Sequence, residues 1–366
     1  MKKRYAVPLI AAGISAVLTV SGRFSRGFAD FYADNIFPVI STPFAFLSGL
    51  FPFSVGEIMI LAALIMVGIG IPVMIILTIF WKKRRKTVLE ISLVTVMWAA
   101  AFVFTTESLN CFTLYGCTRF SERFFTPAEH DNEELKKLYS MLIDECNELA
   151  LQVPRDEQNR FQLTIDTETE CKKAMKKASE TYPQLKGYYP KPKPIIFSFF
   201  MSQMSTSGMY LPFSMESTYN NDMLSEIMPA VICHEYAHLK GFMQEDEAGF
   251  ISFIATHGSG EPQVRYSGCI DALEYVHNQI YENQIVSGYE LTGKISQEVQ
   301  NDWFRFLPDN YWEDNSEKEL ISTETVDAVS DAASDTSMKL NGVEDGIASY
   351  SRMVNLLLDY YFPPEK

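Results

Sequence analysis

Three stretches within the first 107 residues are apolar and long enough to cross a bilayer, which takes about 20 helical residues. They are Tyr5–Gly22, Ile58–Trp81 and Val88–Thr106. The first follows Met1-Lys2-Lys3-Arg4 and meets no charge until Arg23. The second lies between Glu57 and the run Lys82-Lys83-Arg84-Arg85-Lys86, and the third holds a single acid, Glu90, near its start. Phe37–Phe53 is also apolar, but Pro38, Pro43 and Pro52 interrupt it, and it reads as an interfacial or re-entrant piece. Such a beginning commits the chain to an α-helical membrane region over 1–107, with a second domain after it. At about 150 residues per domain, 366 residues suit two units.

Basic residues set the expected orientation. Lys2, Lys3, Arg4 and the cluster 82–86 flank one side, and only Arg23 and Arg26 lie in the opposite loop. The N-terminus and the 82–86 turn then face the cytoplasm, and three crossings put everything after about residue 107 outside. A fourth crossing at 37–53 would place the basic cluster on the wrong side. A cleavable signal peptide is the alternative for the first stretch, but no small-x-small cleavage site follows it. Cleavage would leave the topology of the rest unchanged.

Charge divides at the same boundary. The first 107 residues carry ten basic and five acidic side chains, and the remainder carries 21 basic and 41 acidic, a balance of −20. Beyond residue 86 no dense cationic surface is available for phosphates, which excludes nucleic acid as a partner. All six cysteines (Cys111, Cys117, Cys146, Cys171, Cys233, Cys269) follow the third stretch, which is compatible with disulfides in an exported domain. Six cysteines allow fifteen full pairings, and the spacing selects none. Cys233 reads as a buried free thiol.

Residues 108–130 look like an aromatic-rich irregular connector. Leu135, Leu138, Tyr139, Leu142, Ile143 and Cys146 recur at helical spacing, so 131–148 is an amphipathic helix, and 167–181 is a second, more polar one. Tyr182–Pro194 reads as a loop. Ile195–Phe200 reads as a buried strand, and Gly208–Phe213 as an extended segment. Asn220/Asn221 are expected to cap a helix reaching Lys240, which Gly241 ends. Further helices are expected over 244–257, 269–283 and 346–361. The Ser/Thr/Asp/Ala-rich stretch 315–338 reads as a mobile insertion or an exposed helix.

The most specific string is Cys233-His234-Glu235-Tyr236-Ala237-His238. It is H-E-x-x-H on a predicted helix, and it takes two of only five histidines in the chain. Four residues make about one helical turn, so both imidazoles share a face and can grip one tetrahedral ion. Glu235 lies beside them, suited to take a proton from a metal-activated water without being a ligand. A catalytic zinc takes three protein ligands and keeps one position open. Gly241 lets the chain bend, and Glu245 and Glu247 arrive on the next helix. By analogy with the metzincin site, whose third ligand lies six after the second His (here Gln244), and with the E-x-x-A-D gluzincin site, where Glu245 fits the offset from Ala248, Glu245 is the preferred third ligand and Glu247 the alternative. An intramembrane protease also uses H-E-x-x-H, but Asp222, Glu226 and Lys240 make this segment too polar for lipid.

At these residues the chain resembles a bacterial family of uncharacterised membrane proteins with a few N-terminal spans and a gluzincin-like H-E-x-x-H domain. The likeness rests on Pro52-Phe53-Ser54, Gly208-Met209-Tyr210-Leu211-Pro212-Phe213, the Cys233–Ala248 block, Tyr266-Ser267-Gly268, and Asn341-Gly342 through Gly346–Tyr350. It covers nearly the whole chain. The resemblance implies a mainly α, α+β zincin-like soluble domain over 108–366, one Zn2+ per chain, and hydrolysis of peptide bonds outside the bacterial cytoplasmic membrane. The expected partners are membrane lipid and a peptide or protein substrate. One departure stands out: such proteins tend to carry Asn or Asp after Glu-Ala, where this chain has Gly249. In related zinc peptidases that side chain orients a ligand histidine.

Tyr266, Tyr350 and His257 are candidates to stabilise the oxyanion. Gly208, Met209, Tyr210 and Leu211 are a candidate edge onto which substrate adds as a strand. Two other functions remain open: a zincin-fold sensor or assembly protein of weak or lost activity, which Gly249 favours, and a zinc hydrolase of a non-peptide bond.

Overall fold

The computed structural model describes residues 3–303 and 305–364. Lys2 of the basic N-terminal flank therefore lies outside the described residues. Packing divides the chain into two compact units, Met1–Cys117 with Leu211–Glu216, and Thr118–Tyr210 with Ser217–Lys366.

Among the described residues, the first unit has three helices long and apolar enough to cross a membrane, Lys3–Phe24, Val55–Phe80 and the helical stretch Lys82–Gly116. Many of their apolar side chains, among them Ile14, Val17, Ile75 and Leu93, are exposed, which suggests association with a membrane. The first and third pack together. Ser15 Oγ donates to Thr105 Oγ1 at 3.1 Å, and Gly22 admits Thr113, whose carbonyl oxygen would lie 2.8 Å from a Cβ there. Glu90 is paired with Arg4 and accepts from Tyr5 Oη at 2.9 Å. The stretch read as interfacial or re-entrant is helical over Phe37–Gly49, running on directly from the π-turn Tyr32–Ile36, and it is not one of the helices long and apolar enough to cross a membrane among the described residues. Pro38 falls in its first turn, where no backbone N–H is required.

The boundary of this unit lies about ten residues beyond 107, because Ser108–Phe112 and Leu114–Gly116 continue as helical turns packed on the first helix. The segment Leu211–Glu216 belongs to it for a clear reason. Buried Glu216 accepts from the N–H of Val55 (3.1 Å) and Gly56 (2.6 Å) and from Ser54 Oγ (3.3 Å), so its carboxylate caps the start of Val55–Phe80. A side chain at Gly56 would meet Leu211 and Ser214, and Asn110 Nδ2 donates to the Pro212 carbonyl at 2.7 Å. Two of the short pieces that carry the family resemblance, Pro52–Ser54 and Leu211–Phe213, flank this one contact.

The second unit is mostly helical, with one small sheet. Helix Asn132–Ala150 begins at a capping box built by Asp131 and Glu134, and the residues of its apolar period are all buried. It packs along Pro262–Glu282, whose remaining surface meets Met228–Leu239 and Glu245–His257. Thr167–Thr181 forms as its spacing predicts, capped by Asp166. The connector is not wholly irregular: Phe120–Phe124 is a short helix, and fully buried Phe120 stands among Phe124, Tyr182, Phe242 and Phe250. Three strands, β1 (Lys193–Ile195), β2 (Gly208–Leu211) and β3 (Glu216–Asn220), lie in the order β1-β3-β2, with β1 parallel to β3 and Lys193 opposite Thr218.

Several expectations are corrected. Ile195–Phe200 is not a buried strand: β1 ends at Ile195, Ser198–Gln203 is helical, and Ile196, Phe197 and Phe200 are exposed. A short apolar run does not separate strand from helix. Asn220 ends β3 rather than capping a helix; the motif helix starts at Met228, where Pro229 suits the first turn. Asp222 and Glu226 therefore precede it, and its 12 residues are too few to span a membrane. The 269–283 helix begins earlier, at Pro262. The 315–338 stretch is helical over Thr323–Leu340, and the final segment is a 3-10 turn, Gly346–Arg352, before the helix Met353–Tyr361.

Candidate metal centre

His234 and His238 stand one turn apart on the motif helix, with ring centroids 4.8 Å apart. Gly241 then takes φ +96°, a left-handed bend that an L side chain rarely adopts. The bend turns the chain into the next helix, whose first residue is Glu245. Three acids sit in that first turn, where the positive helix end favours them, and side chains clamp two of them. Asp246 pairs with Arg352 (2.9 Å) and Arg119 (3.3 Å), and Glu247 accepts from Ser121 through N–H (2.8 Å) and Oγ (2.5 Å). Glu245 is left to turn towards the imidazoles.

Its Oε2 lies 3.0 Å from His234 Nε2 and 3.4 Å from His238 Nε2, and the two Nε2 atoms are 3.1 Å apart. Ligands at zinc bond lengths in a tetrahedron are separated by about 3.3 Å, so the triangle matches a single small divalent ion. Donor orientation agrees. His238 Nδ1 bonds the Phe242 carbonyl at 2.7 Å. A carbonyl only accepts, so in the neutral ring Nδ1 carries the hydrogen and Nε2 presents its lone pair to the site. These three residues are the group among the described residues that could hold a metal ion.

The charges of the cluster act strongly on one another. Burial opposes charge on His238, but the Glu245 carboxylate outweighs it and lifts the imidazole to about 9. Burial likewise pushes Glu245 up, and the two imidazoles outweigh it and hold the carboxyl well below its usual range. A site that gathers positive charge this strongly suits a divalent cation.

Glu235 is 5% exposed, and burial raises its carboxyl to about 7. It accepts from the backbone of Tyr210, while its Oε2 is buried with no hydrogen-bond partner among the described residues. A buried polar atom without a partner calls for a water or ligand. The Tyr210 contact arises because β2, the outermost strand on its side of the sheet, runs beside the motif helix. A Cβ at Gly208 would come within 2.5 Å of Glu235 Oε1 and 2.7 Å of Val231 Cγ1, so only glycine permits this approach. The Tyr210 ring lies 6.0 Å from that of His238.

A family profile described as protein of unknown function (DUF3810) matches residues 32–358. The chain belongs to the DUF3810 family. No curated protein and no solved structure matches it. The DUF3810 match takes in the second and third apolar helices, the motif helix, Glu245 and Tyr350.

Of the residues singled out in this DUF3810 chain by sequence, the fold brings His234, Glu235, His238 and Glu245 together, with Gly208 and Tyr210 beside them. Glu247 is drawn away to Ser121. Tyr350 comes near the group: the desolvation of its hydroxyl, followed by the Glu245 carboxylate, raises it well above the usual phenol, while 36% of the residue stays exposed. Tyr266 and His257 do not. Tyr266 is fully buried and donates to Asp302 at 2.6 Å, and His257 Nδ1 pairs with Glu145 at 3.2 Å. Met209 supplies its carbonyl to Thr218 Oγ1 (2.7 Å), and Leu211 is buried in the first unit.

Sequence reasoning missed Asp271 and Tyr275. Burial raises Asp271 to about 6, opposed by the charge of His234, and burial, followed by Asp271 and Glu245, raises Tyr275 well above the usual phenol. They are four apart on Pro262–Glu282, one turn of the face that meets the motif helix. A Cβ at Gly249 would lie 3.0 Å from Met353 Sδ and 4.0 Å from His234 Nδ1, so the final helix stands close against this position.

Proposed function

We propose that this protein is a membrane-anchored zinc metallopeptidase of zincin-like fold, which hydrolyses peptide bonds outside the bacterial cytoplasmic membrane. The triangle of His234 Nε2, His238 Nε2 and Glu245 Oε2 carries the reading. Those three residues would hold one Zn2+, which when bound activates a water and polarises the scissile carbonyl.

The remaining work falls to the chain's own side chains. Glu235 takes the proton from the water through its unpartnered Oε2 and delivers it to the leaving amine. A carboxyl poised near 7 exchanges protons in both directions at neutral pH. Tyr350 Oη, next to Glu245, donates to the developing oxyanion. β2 offers the substrate an extended backbone beside Glu235, with Gly208, Met209 and Tyr210 as the docking edge. The ring of Tyr210 stands beside His238.

The test is a peptide-library digest with the full chain in detergent, comparing wild type with Glu235→Gln. Wild type should cleave, and the variant should lose at least about 100-fold in rate while keeping its metal. Equal cleavage by both would remove Glu235 from the chemistry. A second reading, a zinc-holding sensor or assembly protein without hydrolysis, is favoured by Gly249, which offers no side chain to orient a ligand histidine. It requires metal in both proteins and cleavage by neither.

A further inference from the structure

The largest helix pair of the second unit, Asn132–Ala150 against Pro262–Glu282, buries two thiols face to face. Cys146 is 0% and Cys269 2% exposed, and their sulfurs are 2.7 Å apart. Two side-chain bonds also join this helix pair: Arg265 donates to Glu145, the neighbour of Cys146, at 2.8 Å, and about two turns away Tyr139 Oη meets His277 Nδ1 at 2.7 Å. Both oppose sliding of one helix along the other. Cys269 Sγ also reaches the Leu142 carbonyl at 3.6 Å, one turn from Cys146.

We propose that Cys146 and Cys269 are a modification site, joined in the native protein by a disulfide that fastens these two helices. This rests on the outward placement of the second unit proposed above and not on the metal. Two thiols lose two protons and two electrons as the S–S bond forms, and the disulfide of an exported thiol oxidant accepts both and becomes a dithiol. Burial holds the Cys269 thiol in its protonated form, so exchange with the oxidant occurs while the helices are still assembling, before the pair is enclosed. The consequence reaches the candidate metal centre, because Pro262–Glu282 also packs on the helices that carry His234, His238 and Glu245. The link would staple the support of that centre across a separation of 123 residues, in the range where cross-linking restricts the unfolded chain strongly.

The experiment uses the full chain in its membrane. Cells are quenched in acid, the protein is denatured and alkylated with N-ethylmaleimide, and unreduced peptides are mapped by mass. We expect one peptide joining Cys146 to Cys269, two hydrogens lighter than the sum of its parts and lost on reduction. Recovery of both cysteines as maleimide adducts, or Cys146 joined to a different cysteine, overturns the proposal. A Leu320→Cys chain, altered at a side chain 94% exposed, is labelled on intact spheroplasts with an impermeant maleimide to report placement. Labelling of the introduced thiol together with adducts at Cys146 and Cys269 refutes the disulfide alone; no labelling with both adducts refutes the placement and the disulfide with it. Glu235→Gln should keep the linked peptide, so a chain that is linked but fails to cleave counts against the peptidase only.

Discussion

Glu245 and Glu247 stand two positions apart on one helix, about 200° around its axis, and the fold gives them opposite tasks. Ser121 holds Glu247 against the connector, and the two imidazoles hold Glu245. Glu245→Ala should therefore abolish zinc retention, whereas Glu247→Gln should keep one zinc per chain and cost about 1–3 kcal/mol of stability through its Ser121 bonds. Elemental analysis and a thermal melt of each variant read both effects. The approach of Glu245 to the imidazoles was legible because it depends on counting along a bend that Gly241 announces. Tyr266 and His257 were misplaced because their partners, Asp302 and Glu145, lie far along the chain, and no local spacing reveals them. Asp271 was overlooked for the same reason. A pH effect follows from Glu226, which is 5% exposed and which burial raises from 4.5 to about 7. A carboxyl whose folded value is raised costs nothing below about 4.5, and stability is lost as pH climbs through 7. Glu226→Gln should remove up to about 3 kcal/mol of that loss. Melting curves of the two proteins should then coincide near pH 4.5 and diverge, with the variant higher, by pH 8.

Helices with a clear apolar period were legible to within a few residues, because burial of one face is what forms them. Asn132–Ala150 and Thr167–Thr181 show this. The strands were harder. β1 and β3 pair in parallel with the helix Ser198–Gln203 and β2 between them in the chain, so neither reveals the other locally. The Ile195–Phe200 run, apolar but too short to have a period, was read as the wrong element. β2 was legible through its glycine and aromatic residues, yet its role became visible only against the motif helix. Gly208→Val would drive methyl groups into Glu235 and Val231. Its expected outcome is a fall of at least about tenfold in kcat with zinc content unchanged, since a displaced base costs rate and not metal. Unchanged kcat would show that β2 does not fix the position of Glu235.

Across the whole chain, composition was the most informative level. The shift from +5 over the first 107 residues to −20 over the rest coincides with the end of the three apolar helices. The return of Leu211–Glu216 to the membrane unit was not legible, because its partners, Ser54, Val55, Gly56 and Asn110, lie a hundred or more residues earlier. That Glu216 is fully buried on the N-terminus of Val55–Phe80 ties the turn after β2 to a membrane helix by three hydrogen bonds. The central claim concerns one ion held by two imidazoles and a carboxylate, with a position kept for water. X-ray absorption at the zinc edge, on the full chain purified in detergent, tests it most directly. Two imidazole nitrogens with one or two oxygens, in a ratio of one zinc per chain, is the expected result, and His238→Ala should remove the signal. A sulfur scatterer from Cys233, or a wild-type chain that retains no zinc, would contradict it.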